Sequence, residues 1–250
     1  LLVHPLQAPT SAAEPLTPPP APEVDVLEFK INLKLATANV LTLSADPASK
    51  STSITRQQIL MRQFHEAGCH VIGLQETRHR HLQDLANPYY HVVGASATHT
   101  GHDGVQLWIS KVLPFCDDGL AIHRNHIQIV AAHATYLIVK VNTAAWRCIF
   151  VTARAPHSGH GLRISEEFWH CVSKHIRQLS CDWPIFFLGD TNGHLGDTIT
   201  AAVGALHGRQ ENDPGATFHQ WMLEHQLFAP ATFPQYHTGR LDYTYVAPDG

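Results

Sequence analysis

The run Pro184-Ile185-Phe186-Phe187-Leu188, followed by Gly189-Asp190-Thr191-Asn192-Gly193, constrains this chain more than any other stretch. A short apolar run bounded by turn residues reads as a buried strand, and the turn that ends it carries a carboxylate and a carboxamide two positions apart. Side chains two apart in extended chain point the same way, so Asp190 and Asn192 are expected to converge on one ligand. A carboxylate can take a proton from water or hold a cation, and a carboxamide can donate to a phosphoryl oxygen without adding negative charge. Asp and Asn also crowd ordinary turns, so the motif takes its meaning from the rest of the chain.

Three other strand ends carry similar groups. Leu33 to Val40 reads as a strand ending in Asn39. Gly68 to Arg78 reads as a helix stop, a buried strand, and then Glu76 at its C-terminal tip. Gly239 to Val246 puts Asp242 at the mouth of another strand. Hard oxygen groups of this kind suit Mg²⁺, with Mn²⁺ as a substitute, because Mg²⁺ keeps several waters and takes one or two carboxylates plus substrate phosphate. Asn39, Glu76, Asp190 and Asp242 are the candidate oxygen ligands at these strand ends.

With 250 residues, 44% of them hydrophobic, the chain can bury a full core as one domain. Its formal charge of −4 does not suit a dedicated nucleic-acid-binding module, which draws its non-specific affinity from a basic field. A local basic edge, Arg78-His79-Arg80-His81, directly follows Glu76 and can meet phosphate or remain a solvated loop. Five cysteines show no C-x-x-C spacing, and most lie in apolar runs and read as small buried hydrophobes, which favours a reducing, intracellular setting, nuclear or cytoplasmic. The twenty histidines scatter, and His65-Glu66-Ala67-Gly68-Cys69-His70 has one residue too many for a zincin helix. No apolar run approaches the ~18 residues of a membrane span. Residues 1–28, rich in Pro and Ala, are expected to stay extended and unpacked, leaving 29–250 as the folded domain, by default a monomer.

Within that domain, periodicity predicts a helix over 53–67 and a longer one over 162–179, with Ile164, Phe168, Val172, Ile176 and Leu179 on its buried face and Glu166 and Glu167 in its first turn. Asp213-Pro214 reads as an N-cap followed by Pro at N1, opening a helix that runs to Leu227. Strands are expected over 104–109, 127–132, 136–141 and 148–152. Pattern alone gives α/β or α+β with two packed sheets.

The ordered series A-N-V, I-G-L-Q-E-T-R, H-D-G-V, T-A-R-A-P-H, F-F-L-G-D-T-N-G and G-R-L-D-Y resembles the endonuclease/exonuclease/phosphatase superfamily over roughly residues 31–246. That group includes abasic-site endonucleases, pancreatic-type deoxyribonuclease and the endonuclease domains of LINE-type retrotransposons, to which this chain is most similar. The resemblance implies a four-layer α/β/β/α sandwich and Mg²⁺-dependent water attack on a phosphodiester, with DNA as the expected substrate. It implies that Glu76 is the main metal ligand, that Asp190 orients and deprotonates water or shares the metal, and that Asn192 and Asn39 hold phosphoryl oxygens and carboxylates. Arg78 is expected to contact substrate. His157 lies on the loop where relatives place substrate-contacting residues.

Three departures qualify that expectation. Relatives carry an S-D-H motif after R-x-D-Y whose His pairs with the residue matching Asp242, and this sequence has none, so a missing last core strand and impaired activity are expected. Leu41 stands where many relatives have an acidic or amide residue, and Arg154 where repair endonucleases have Tyr. The guanidinium of Arg154 can grip phosphate or pair with a cleft carboxylate. A non-catalytic remnant or binding module, and a phosphatase acting on a small phosphoester, are the alternatives.

Overall fold

Val71, Ile72, Gly73, Leu74 and Gln75 are all buried, so this strand must be covered on both faces. The computed structural model, which describes residues 30–43, 55–79, 87–179, 181–206 and 210–236, shows how. In chain order its strands are β1 (Leu35–Asn39), β2 (Val71–Gln75), β3 (Tyr90–Ala95), β4 (Val105–Ser110), β5 (Ile127–His133), β6 (Tyr136–Asn142), β7 (Arg147–Ala153) and β8 (Ile185–Phe187). Its helices are α1 (Arg56–Glu66), α2 (Leu162–Arg177) and α3 (Asp213–Glu224). One sheet has the order β1-β2-β4-β3, the other β5-β6-β7-β8. The pairs β1–β2 and β7–β8 are parallel and the remaining pairs antiparallel.

Three apolar clusters separate four layers. Val40, Met61, Cys69, Ile72, Leu74 and Trp108 pack α1 on the first sheet. Val71, Leu107, Ile109, Leu137, Val139 and Phe150 fill the space between the sheets. Ile138, Ile149, Val151, Trp169, Val172, Phe218 and Trp221 seat α2 and α3 on the second sheet. Strand alternation sorts these sets: Ile149, Val151, Ala153 and Ala155 face the helices, whereas Cys148 and Phe150 face the other sheet. The α/β/β/α sandwich expected from the sequence is the fold.

Local signals worked where chemistry was local. Thr55 caps α1 in a reciprocal box with Gln58. The cap of α3 lies one residue earlier than expected: the Asn212 side chain accepts from Gly215 N–H, Asp213-Pro214 occupies the first turn, and the helix stops at Glu224. In α2 the buried stripe is Ser165, Trp169, Val172, Ser173 and Ile176, rotated from the expected one, with Ile164 exposed. Ser165 and Ser173 are turned inward, where their hydroxyls hydrogen-bond with Thr217 Oγ1 at 3.3 Å and His225 Nε2 at 2.7 Å, partners that apolar periodicity does not register. Glu166 and Glu167 lie beyond its first turn, which holds no acidic residue. Strand β3 was not anticipated; it is an edge strand whose pairing with β4 is decided by tertiary context. The expected lead 1–28, Arg80 and His81, Asp242 and the sheet edge after it lie outside the described residues.

The sheets approach closely at Gly73. A Cβ there would lie 2.5 Å from the Leu188 carbonyl oxygen, 2.6 Å from Leu188 Cβ and 2.9 Å from Thr152 Oγ1. Gly73→Ala should therefore lower stability by about 1–3 kcal/mol through overpacking, read from the midpoint of urea unfolding. A second test concerns His225, whose imidazole burial above all holds below its ordinary value, with Glu224 pulling it up and Arg177 down. As pH falls through about 6.5 the unfolded chain takes up a proton that the folded site refuses. Its contribution is thus complete above that pH and is lost as pH falls toward the lowered folded value. His225→Gln should flatten this part of the stability profile between about pH 7.5 and about pH 5.5.

Candidate active site at the strand tips

Gln75 is 1% exposed and carries an amide that needs partners. Its Nε2 reaches across to the second sheet, donating to Leu188 O at 3.0 Å and Thr152 Oγ1 at 3.2 Å, with Thr37 Oγ1 also at 3.2 Å. This buried bridge lies one residue before Glu76 and two residues before Asp190, so the C-terminal tips of β2 and β8 are held together across the sandwich. Asp190 continues the pairing through Asp190 N–H to Ala153 O at 2.9 Å and Ala155 N–H to Asp190 O at 2.8 Å.

Above the bridge, one amide joins the two carboxylates. Asn39 Nδ2 donates to Glu76 Oε1 at 2.8 Å and to Asp190 Oδ2 at 3.0 Å. Its Oδ1 accepts the Leu41 N–H at 3.2 Å. Two guanidinium groups complete the cluster. Arg78 Nη2 donates to Glu76 Oε2 at 2.9 Å. Arg154 places Nε 3.0 Å from Glu76 Oε1 and Nη1 2.9 Å from Asp103 Oδ1. Burial is the largest influence on the Glu76 carboxyl and pushes it up. The hydrogen bonds from Asn39 and Arg78 and the charges of Arg154 and Arg78 together outweigh burial and leave it below the ordinary carboxylate value.

The sequence-predicted residues meet unequally. Asn39, Glu76, Arg78, Arg154 and Asp190 form one contiguous polar cluster. Asn192 departs from the expected convergence: its φ of 49° breaks the extended geometry that would align it with Asp190. Its backbone N–H caps Asp190 Oδ1 at 3.0 Å, and its Nδ2 donates to Ala155 O at 2.7 Å, tying the G-D-x-N turn to the exit of β7. His157 begins the next turn, with Nδ1 accepting from Gly159 N–H at 3.1 Å and its ring 4.1 Å from that of His160. A neutral His157 ring therefore carries its proton on Nε2. Leu41 is 60% exposed beside Asn39.

Sequence reasoning missed Asp103, quoted only as part of H-D-G-V. Its backbone oxygen accepts the Arg78 N–H at 2.9 Å while its side chain holds Arg154, so it touches both arginines. Left-handed backbone also escaped notice. Of the six non-glycine residues with positive φ among the described residues, Leu41, Glu76, Arg78, Asp103 and Asn192 all lie here. Strain of this kind collects where the surrounding structure fixes side chains for function.

Among the described residues no three His, Cys, Asp or Glu side chains gather as a metal cage. The oxygen donors that do converge are Glu76 and Asp190, linked through Asn39. Gln75→Leu tests the bridge beneath them. Leaving Leu188 O and Thr152 Oγ1 without their buried donor should cost about 1–3 kcal/mol in unfolding free energy.

No curated protein sequence matches this chain. Among solved structures, similar chains include the endonuclease domain of TRAS1, a telomere-specific non-LTR retrotransposon, at 11% identity and a TM-score of 0.48 over 78% of this chain and 71% of that one. An AP endonuclease from Archaeoglobus fulgidus gives 15% identity and a TM-score of 0.45 over 77% and 70%. A mannosyl-6-phosphatase from Bacteroides thetaiotaomicron gives 13% and 0.43 over 65% and 66%. The sequence profile of the Endonuclease/Exonuclease/phosphatase family matches residues 36–250, a span that takes in both sheets and every polar residue of the cluster, and the chain belongs to that family.

Proposed function

We propose that this chain is a Mg²⁺-dependent phosphodiester hydrolase acting on nucleic acid, with DNA as the preferred substrate class. The observation that carries this reading is the Asn39 amide held between Glu76 and Asp190, carboxylates that come from opposite sheets and meet at the strand tips. The donor set fits a cation that takes only one or two carboxylates and keeps its waters. Glu76 would be its principal ligand with Asp190 beside it, and Asn39 would hold the two carboxylates together through Nδ2. When bound, such an ion neutralises charge on a phosphoryl oxygen and lowers the pKa of a water.

The chain's own groups divide the rest of the work. Asp190, held by Asn39 and by the Asn192 N–H, is fixed in orientation and accepts the proton of the attacking water. Arg154 and Arg78 bring two permanent charges to the same carboxylate, where a phosphate can fork onto a guanidinium. Asn192 fixes the turn that carries His157, whose Nε2–H is available as a donor to substrate. Leu41 offers no metal ligand and presents an apolar surface to whatever lies beside the phosphate. Among the described residues no helix is long and apolar enough to cross a membrane.

Nicking of supercoiled plasmid in Mg²⁺ tests the reading. Nicking should be slow, as the impaired activity expected from the sequence implies, and Asp190→Asn should abolish what nicking there is through loss of the general base. Intact plasmid combined with turnover of a small phosphomonoester would replace the nuclease reading with that of a phosphatase. Binding of DNA without turnover of either substrate would leave a binding module.

A further inference from the structure

Arg154 stands in two unequal contacts. To Asp103 it makes an aligned hydrogen bond, Nη1 to Oδ1 at 2.9 Å. To Glu76 it brings Nε within 3.0 Å of Oε1, yet Nε makes no directed hydrogen bond there. Charge alone holds that side. The guanidinium is anchored on Asp103 and leans on Glu76, and an off-axis ion contact yields more readily than an aligned charge-assisted bond. Asp103 is itself pinned: it has φ 63°, its backbone oxygen holds the Arg78 N–H, and the next residue, Gly104, packs so closely that a Cβ would lie 2.8 Å from Thr77 Oγ1.

Charge balance points the same way. Among the described residues, Glu76, Asp103 and Asp190 set three carboxylates against the two guanidinium groups of Arg78 and Arg154. Arg154 shares with Arg78 the role of counter-cation to Glu76. An arriving divalent ion makes Arg154 surplus at Glu76 and leaves the cleft with an excess of positive charge suited to one phosphodiester.

We propose that Arg154 is a displaceable counter-cation, anchored by Asp103, that holds Glu76 until a divalent ion takes the carboxylate and then turns to grip the substrate phosphate. This rests on the reading of the cleft as a site for a divalent cation and a phosphodiester. Asp103 is a positioning residue: it keeps the released guanidinium over the cleft. Arg154 and the metal compete for Glu76, whereas Arg154 and the phosphate cooperate. Linkage then requires a phosphodiester to tighten metal binding and the metal to tighten phosphodiester binding by the same factor.

The test measures Mn²⁺ binding through loss of the free-ion paramagnetic signal, and binding of diethyl phosphate as the phosphodiester probe, on the whole chain. Arg154→Ala should raise Mn²⁺ affinity about tenfold, the scale of a typical coupling, and lower diethyl phosphate affinity in the presence of Mn²⁺. Opposite signs in one variant are the signature, since a structural defect would lower both. Arg154→Gln, which keeps a donor for Asp103, should give the same pair of signs if the alanine variant folds poorly. Asp103→Asn should lower diethyl phosphate affinity, and adding it to Arg154→Ala should cost nothing further, because Asp103 acts through Arg154. Unchanged or weaker Mn²⁺ binding in both Arg154 variants would overturn the handover, as would additive losses in the double variant. Glu76→Gln separates the two levels. Loss of Mn²⁺ binding there with no gain at Arg154 removes the handover alone, while Mn²⁺ binding equal to wild type removes the metal reading with it.

Discussion

The structure depends on one close approach between its sheets, where Gly73 lets β2 meet the backbone at Leu188 and Gln75 supplies the polar bridge. A larger residue at Gly73 would drive the sheets apart. An apolar residue at Gln75 would leave a buried carbonyl and hydroxyl without a donor. Because the bridge lies directly behind Glu76 and Asp190, interior packing sets the geometry of the cleft. The carboxylates are placed by a rigid scaffold and then trimmed by short hydrogen bonds.

The cleft itself is made of conflicts that the scaffold holds in check. Carboxylates are crowded onto one amide, guanidinium groups are drawn inward to balance them, and five residues adopt a backbone form that side chains disfavour. None of these features would persist in isolation. They persist because the three apolar layers stabilise the fold around them. The single exposed leucine among the strained residues marks the point at which this cleft departs from an all-polar site.

Much of this was legible in the sequence, and the limits are physical. Apolar runs ending in Asn39, Glu76 and Asp190 announced strands with polar tips, because burial and period-two alternation are written locally. That the three tips would touch was implied by family resemblance, and no spacing in the chain encodes it. Asn192 was misjudged because a two-residue alternation rule assumes extended backbone, and a φ of 49° voids it. Asp103 stayed invisible because its meaning lies entirely in Arg154, 51 residues away. The rotated stripe of α2 carries Ser165 and Ser173, which count as polar in any periodicity yet are buried because Thr217 and His225 satisfy their hydroxyls. Edge strand β3 lacked a local signature strong enough to outweigh the turns around it.

The hydrogen bond from Asn39 to Asp190 closes a span of 151 residues, and its consequence concerns time. A ribosome adds residues far more slowly than a strand pairs or a helix forms, so the first sheet can assemble while β8 is still unmade. During that interval Asn39 and Glu76 exist without the carboxylate from the opposite sheet, and Gln75 has no Leu188 carbonyl to bridge. Closing so long a loop is a late event in any folding order. A nascent chain therefore carries only half a centre. Whatever chemistry the cleft performs is withheld until the second sheet is complete and docked.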